Sequence, residues 1–159
     1  AKAQIYCTHY GVLYNWYAVN TSNVCPLGWH VPTDTEWTIL ENYLIANGYN
    51  YDDTYTDNKI AKALASKSGW TLSSTAGAVG NTDYPAKRNV TGFTALAGGV
   101  RYIIEDFPFV DIGVYGNWWS ATGSSTINAW NRNLGYERYN VFRNNRSKKH
   151  GLSVRCIKD

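Results

Sequence analysis

Residues 118–156 read WWSATGSSTINAWNRNLGYERYNVFRNNRSKKHGLSVRC, and this stretch decides how the chain is read. One set of positions (Trp119, Ala129, Trp130, Arg132, Leu134, Val141, Arg143, Val154, Cys156) has the spacing of a packed sheet. A second set alternates with it. Asn131 and Asn133 fall between Trp130, Arg132 and Leu134, and Asn140, Phe142 and Asn144 fall around Val141 and Arg143. Successive strand side chains point to opposite faces, so two short strands are expected, each presenting an outward row. Asn, Tyr, Phe, Gly, Arg and Ser dominate those rows, which is the composition of adaptable contact surfaces built from flat amphipathic rings and small amides.

Working outward, 159 residues with 44% apolar content fit one domain, 1–159, with a core of its own. Seven Trp and thirteen Tyr give much of that core, since such rings bury about 150–250 Å² each. The net charge of +3 is mild, but Arg132, Arg138, Arg143, Arg146, Lys148, Lys149 and Arg155 all fall late in the chain. A positive face there would favour anionic partners. No nucleic-acid-binding motif accompanies it, so no nucleic-acid partner is expected. Neither a signal peptide nor a membrane-spanning run is read, which points to a mature or excised domain with no direct membrane insertion.

Three cysteines, Cys7, Cys25 and Cys156, lack CxxC spacing and nearby histidine ligands, so a disulfide is expected in place of a metal site. Cys25 and Cys156 each adjoin apolar segments, and a bridge between them would close a long loop worth roughly 2–4 kcal/mol. That pairing implies an oxidising compartment and leaves Cys7 over.

Further along the chain, Ile5 to Val19 is rich in aromatic and β-branched residues around Gly11 and reads as one or two strands. Thr33 followed by Glu36 fits a capping box, with Trp37, Leu40, Tyr43 and Leu44 at helical spacing up to Asn47-Gly48. Asn50 to Asn58 is a polar loop, after which Asp57 is expected to cap a second helix through Ile60, Ala61 and Leu64 to about Ser68. Trp70 to Thr91 reads as long irregular loop, the kind that is usually functional when it is this long. Phe93 to Tyr102 and Gly113 to Trp119 each lead into a strand, and two or three more strands complete the chain.

The runs YGVLYNWYAVNTSNVCPLGWHVPTDTEW (10–37), GFTALAGGVR (92–101), NWWSAT (117–122) and GLSVRCIKD (151–159) resemble the Fibrobacter succinogenes major paralogous domain. The resemblance covers nearly the whole chain. It implies an α+β domain of C-type lectin-like fold in the formylglycine-generating-enzyme branch, with two helices flanking a small twisted antiparallel sheet and long loops. The family's two cysteines, in CPxGW and SVRC, correspond to Cys25 and Cys156. The carboxy-terminal segment is also similar to variable proteins of diversity-generating retroelements, which place randomised positions just ahead of a closing strand. Asn131, Asn133, Tyr139, Asn140, Phe142, Asn144, Asn145, Arg146 and His150 are residue types that such randomisation yields.

Catalytic readings are weaker. Cys25 and Cys156 stand where structural cysteines would, His30 lies in GWHVP as a hydrogen-bonded structural histidine would, and no nucleophile elbow accompanies the other histidines. Calcium-dependent sugar binding in C-type lectins uses a Trp-Asn-Asp motif. Here Trp130-Asn131-Arg132 puts Arg where the carboxylate should be, and Asp52, Asp53 and Asp57 miss the EF-hand spacing. No cofactor or metal is expected.

The sequence therefore leads to a non-enzymatic binding module at a bacterial cell surface or phage virion, taking a protein or glycan ligand on a cell surface. The expected contact residues are Tyr115, Trp118, Trp130, Asn131, Asn133, Tyr136, Arg138, Tyr139, Asn140, Phe142, Asn144, Asn145 and Arg146. The alternatives are a structural domain of a larger surface or fibre protein, or an enzyme resembling the formylglycine-generating type.

Overall fold

The computed structural model of the chain describes residues 8–21, 23–103 and 109–159. Its elements are α1 (Trp16–Val19), β1 (Trp29–His30), α2 (Asp34–Ala46), α3 (Ala61–Leu64), β2 (Gly98–Arg101), β3 (Phe109–Ile112), β4 (Tyr115–Gly123), β5 (Asn128–Gly135), β6 (Phe142–Ser147) and β7 (Ile157–Lys158). The class is α+β, as expected. The Thr33 hydroxyl accepts from the Glu36 N–H at 3.2 Å, and the Glu36 carboxylate accepts from the Thr33 N–H at 2.8 Å, so the capping box starts α2 where the sequence put it. The helix ends at Asn47, with Gly48 at φ +76°.

Strands β4, β5 and β6 form an antiparallel sheet with β5 in the middle. A hairpin of β2 and β3 is joined to it by Gly151–Ser153. Gly151 exchanges backbone hydrogen bonds with Arg101 (2.8 and 2.9 Å), while Ser153 bonds Asn117 and Trp119 of β4 (3.0 Å each). Consecutive Trp118 and Trp119 point to opposite faces and seed two cores. Trp118 packs with Leu134, Val141, Trp37, Leu44 and α3; Trp119 packs with Ala129, Val100, Leu152, Trp16, Val19 and Val31. Both faces of β5 are covered for that reason.

Cys25 and Cys156 form a disulfide across a sequence separation of 131 residues. Cys7 lies outside the described residues. Strand β7 pairs with β1 through Trp29↔Lys158 and His30↔Ile157, immediately after the bridged cysteine.

Two sequence expectations need correction. Ile5 to Val19 was expected to be strand, but Trp16–Val19 is helical, and Tyr14 contributes only an isolated bridge to Leu152; residues 5–7 lie outside the described residues. The Asn15 side chain accepts from the Ala18 N–H at 3.0 Å, and this local cap outweighs the β propensity of the aromatics. The second helix is one turn long, and Asp57, at φ +61°, does not cap it. Asn50, fully buried, instead bonds Thr54 O and Thr56 O (both 2.9 Å) and the Lys59 N–H (3.0 Å), so the 50–59 loop closes on that side chain. Ala65 then leaves the helix in extended conformation to bridge Ala95.

Candidate functional site

The late segment is anchored from beneath by an ionic frame. Arg132, 1% exposed, donates through Nε to Glu41, through Nη1 to Asp34 Oδ1 (2.6 Å), and through Nη2 to Asp34 O (3.2 Å) and Thr38 Oγ1 (3.0 Å). From the neighbouring strand Arg143 reaches the same Asp34 carboxylate at 2.8–3.1 Å and stacks its guanidinium 3.4 Å from the Trp130 ring centroid. Burial pushes the Asp34 carboxyl up, but Arg143 and Arg132 together hold it below its ordinary range. Glu41 is raised, because burial outweighs Arg132 there. Asn58 completes the frame by bonding both the N–H and the C=O of Val141 (3.0 Å each), which fixes the turn leading into β6.

Of the expected contact residues, three are corrected. Trp118, Asn131 and Asn133 are buried and present nothing outward. The alternation of β5 is real, but this central strand has a core on each side, so its Asn row faces Trp119 and Asn117 and not solvent. Asn133 donates to Asn117 Oδ1 at 2.9 Å, and Asn117 donates to Gly99 O at 3.2 Å, so these amides stitch the sheet to β2. Asn131 is 0% exposed, and among the described residues its Oδ1 has no hydrogen-bond partner.

The edge strand β6 does not alternate: Arg143, expected among the packed positions, is as exposed as its neighbours, because no second strand covers that edge. Phe142, Arg143, Asn144 and Asn145 are all exposed, Phe142 at 37%. In the preceding turn Tyr139 is 41% exposed, and Arg138 lies with its guanidinium 4.2 Å from the Phe142 ring centroid. Asn140 and Arg146 are half-buried, and Arg146 donates to the Tyr102 hydroxyl at 3.0 Å. Trp130 is half-buried under Arg143, while Tyr115 and Tyr136 are half-buried at the far end of the sheet. The structure thus brings exposed Tyr139 and Phe142 to Asn145 together, with half-buried Arg138 and Asn140 beside them and Val141 buried between, and separates Trp118, Asn131 and Asn133 from them.

Several other chemistry-bearing groups among the described residues are paired, although His150 Nδ1 is buried without a hydrogen-bond partner there. His30 bonds Asp159 Oδ1 through Nδ1 (2.6 Å) and Glu36 Oε1 through Nε2 (2.9 Å), and these carboxylates, Asp159 first, raise its pKa. Asp52 is held down to about 2 by Lys59, whose Nζ lies 2.7 Å away, and Asp53 pairs with Lys87. Lys62 is fully buried and donates to Asn81 O (2.8 Å), Asp83 O (2.6 Å) and the Asp83 carboxylate, which organises the 70–91 loop around it.

Sequence reasoning missed Tyr51 and Tyr84, whose rings meet in space with Tyr139. They belong to three separate loops, so no local spacing announces them. The left-handed backbone of Tyr84, directly ahead of Pro85, was equally hidden.

The family description "Fibrobacter succinogenes major domain" matches residues 1–158. No curated protein and no solved structure matches the chain. The chain belongs to the Fibrobacter succinogenes major domain family.

Proposed function

From that membership, we propose that the domain is a non-enzymatic ligand-binding module of C-type lectin-like fold, working outside the cell at a bacterial surface or on a phage virion. Its contact surface is the turn at 136–141 together with the exposed side of β6. The observation that carries the proposal is the contrast between a fixed frame and a free row. Arg132, Arg143, Asp34, Glu41 and Asn58 are bonded to one another or to the backbone, while Tyr139 in the turn and Phe142, Asn144 and Asn145 on the strand they hold are exposed. Rigid presentation of rings and amides lowers the ordering cost of binding.

Other features support the non-enzymatic reading. Cys25 and Cys156 are joined, so neither offers a thiol for oxidase chemistry of the formylglycine-generating type. His30 has a carboxylate on each ring nitrogen and bridges β1, the start of α2 and the β7 side. The disulfide is compatible with an oxidising location.

Diversification by a retroelement, if it operates, is confined to the exposed positions of that surface, because randomising Asn131 or Asn133 would break buried packing and the Asn133–Asn117 bond. A near-repeat of the coding segment, differing only at adenines and concentrated at codons 138–146, is the genomic signature expected of it. The structural-domain alternative predicts binding to nothing.

The test is a binding screen of the folded domain against immobilised cell-surface proteins and glycans, run beside a Tyr139→Ala/Phe142→Ala/Asn144→Ala variant. The proposal expects hits that disappear in the variant while its circular dichroism is unchanged. Hits fully retained by the variant, or no hits at all, contradict it.

A further inference from the structure

We infer that Tyr51, Tyr84 and Tyr139 form a stacking site for a neutral sugar ring, bound without calcium; this rests on the reading above that the domain binds a ligand, and it names the ligand's class. The rings converge from three loops. Tyr51 lies 5.0 Å from Tyr84 and 5.9 Å from Tyr139 between ring centroids, inclined at 55° and 58°, so they offer separate facets and not one flat wall. Tyr84 and Tyr139 are 43% and 41% exposed.

Each ring is deliberately held. Tyr84 sits at φ 47°, ψ 53°, a left-handed conformation that is costly for a residue with a side chain and is found where surrounding structure enforces it. Pro85 follows it, and the Tyr84 carbonyl accepts from the Lys87 N–H at 3.0 Å. Tyr51 lies on Gly77, where a Cβ would come within 2.2 Å of the ring. The Gly77 N–H donates to Asp83 Oδ2 at 2.7 Å, and the other Asp83 oxygen takes Lys62, whose Nζ stands 5.9 Å from the Tyr84 ring. The Tyr139 carbonyl accepts from the Ala61 N–H at 3.1 Å. The Tyr51 N–H donates to Lys59 O at 3.2 Å, so a backbone bond holds each of the three residues while two of the rings stay open.

The chemistry points to a sugar. The C–H faces of a pyranose carry partial positive charge and pack on the negative face of an aromatic ring, and its hydroxyls need donors and acceptors at the rim. Three tyrosines supply both and no aliphatic surface. Three cations of the surrounding loops, Lys59, Lys62 and Lys87, are each matched by their own carboxylate, Asp52, Asp83 and Asp53, while the Arg138 guanidinium lies over the Phe142 ring. With those charges cancelled, an uncharged ring is favoured over an acidic one, and the same aspartates are occupied by ammonium groups and not free for a cation.

The test is an array, run in EDTA, of neutral oligosaccharides ending in glucose, galactose, mannose or N-acetylglucosamine and acidic ones ending in sialic or uronic acids. Tyr84→Gly keeps the left-handed backbone and removes the ring; Tyr139→Ala, Phe142→Ala and a control, Tyr17→Ala, complete the set, each checked for folding by circular dichroism. The expected result is binding of a neutral oligosaccharide in EDTA, weakened at least about tenfold by Tyr84→Gly and by Tyr139→Ala and little changed by Tyr17→Ala, whose exposed ring lies on α1 outside the contact surface, tenfold being about 1.4 kcal/mol. Binding of acidic glycans only, or neutral binding indifferent to Tyr84→Gly, overturns the inference. A protein ligand lost in Phe142→Ala with no sugar bound also overturns it, and leaves the β6 contact surface standing.

Discussion

Replacing Arg132 with Met should be among the most damaging single changes this fold admits. The guanidinium is 1% exposed and makes four hydrogen bonds, to Glu41, to Asp34 Oδ1 and O, and to Thr38. Met fills similar length but supplies no donor. Asp34 keeps the bidentate contact from Arg143 and stays ionised. Among the described residues Glu41 keeps only Asn58 Nδ2 at 3.3 Å, and burial already pushes its pKa up with Arg132 present. Leaving one partner of a buried pair uncompensated costs about 3–5 kcal/mol, a large part of the roughly 5–15 kcal/mol that stabilises a domain. The assay is urea unfolding at equilibrium with the disulfide intact, followed by tryptophan fluorescence. Because the folded state binds the Glu41 proton more tightly than the unfolded state, the loss should shrink as pH falls from 8 to 5. Adding Glu41→Leu should recover part of it, since an apolar pair of similar size removes the stranded charge. A loss below about 1 kcal/mol at pH 8, or a double variant no better than the single, refutes the reasoning.

Reducing the Cys25–Cys156 bridge frees a closed segment spanning 131 positions and should cost roughly 2–5 kcal/mol, read as a lower midpoint in urea with added reductant. Gly77→Ala should cost about 2 kcal/mol or more, because the backbone is at φ +71° and the new methyl would strike the Tyr51 ring; thermal unfolding measures it, and an unchanged Tm contradicts the packing described. His30, whose folded pKa is raised by Asp159 and Glu36, contributes stability that is fully present below its ordinary pKa of 6.5 and is lost as pH rises through the raised value. The wild type should therefore lose more stability than His30→Gln between pH 5.5 and 8.5, measured by urea midpoints at each pH.

The helix α2 was legible because its signals are local: Thr33 and Glu36 satisfy each other, and Asn47-Gly48 ends the run. Strands β2, β4, β5 and β6 lie in stretches where the sequence indicates strand, while β1 and β3 carry no such signal, and Arg132 was rightly placed among the packed positions. What alternation does not reveal is how many faces of a strand are covered. Asn131 and Asn133 have the polarity of an outward row, yet β5 is central and flanked by two cores seeded by Trp118 and Trp119, so the amides are spent on the sheet itself. Phe142 and Asn144 carry the same pattern on an edge strand and are exposed. The difference is tertiary. Tyr51 and Tyr84 were invisible for the same reason, since only the packing of three loops brings them to Tyr139.

The contact surface is tested most directly by nuclear magnetic resonance, titrating the isotope-labelled domain with a ligand captured in the screen and mapping the shifted amides. The account predicts that the largest shifts cluster at 136–147, with neighbours in the loops bearing Tyr51 and Tyr84, while the amides of Trp118, Asn131 and Asn133 move little. Shifts centred on His30 and β7, or on β3 at the opposite edge, with 136–147 silent, would contradict it.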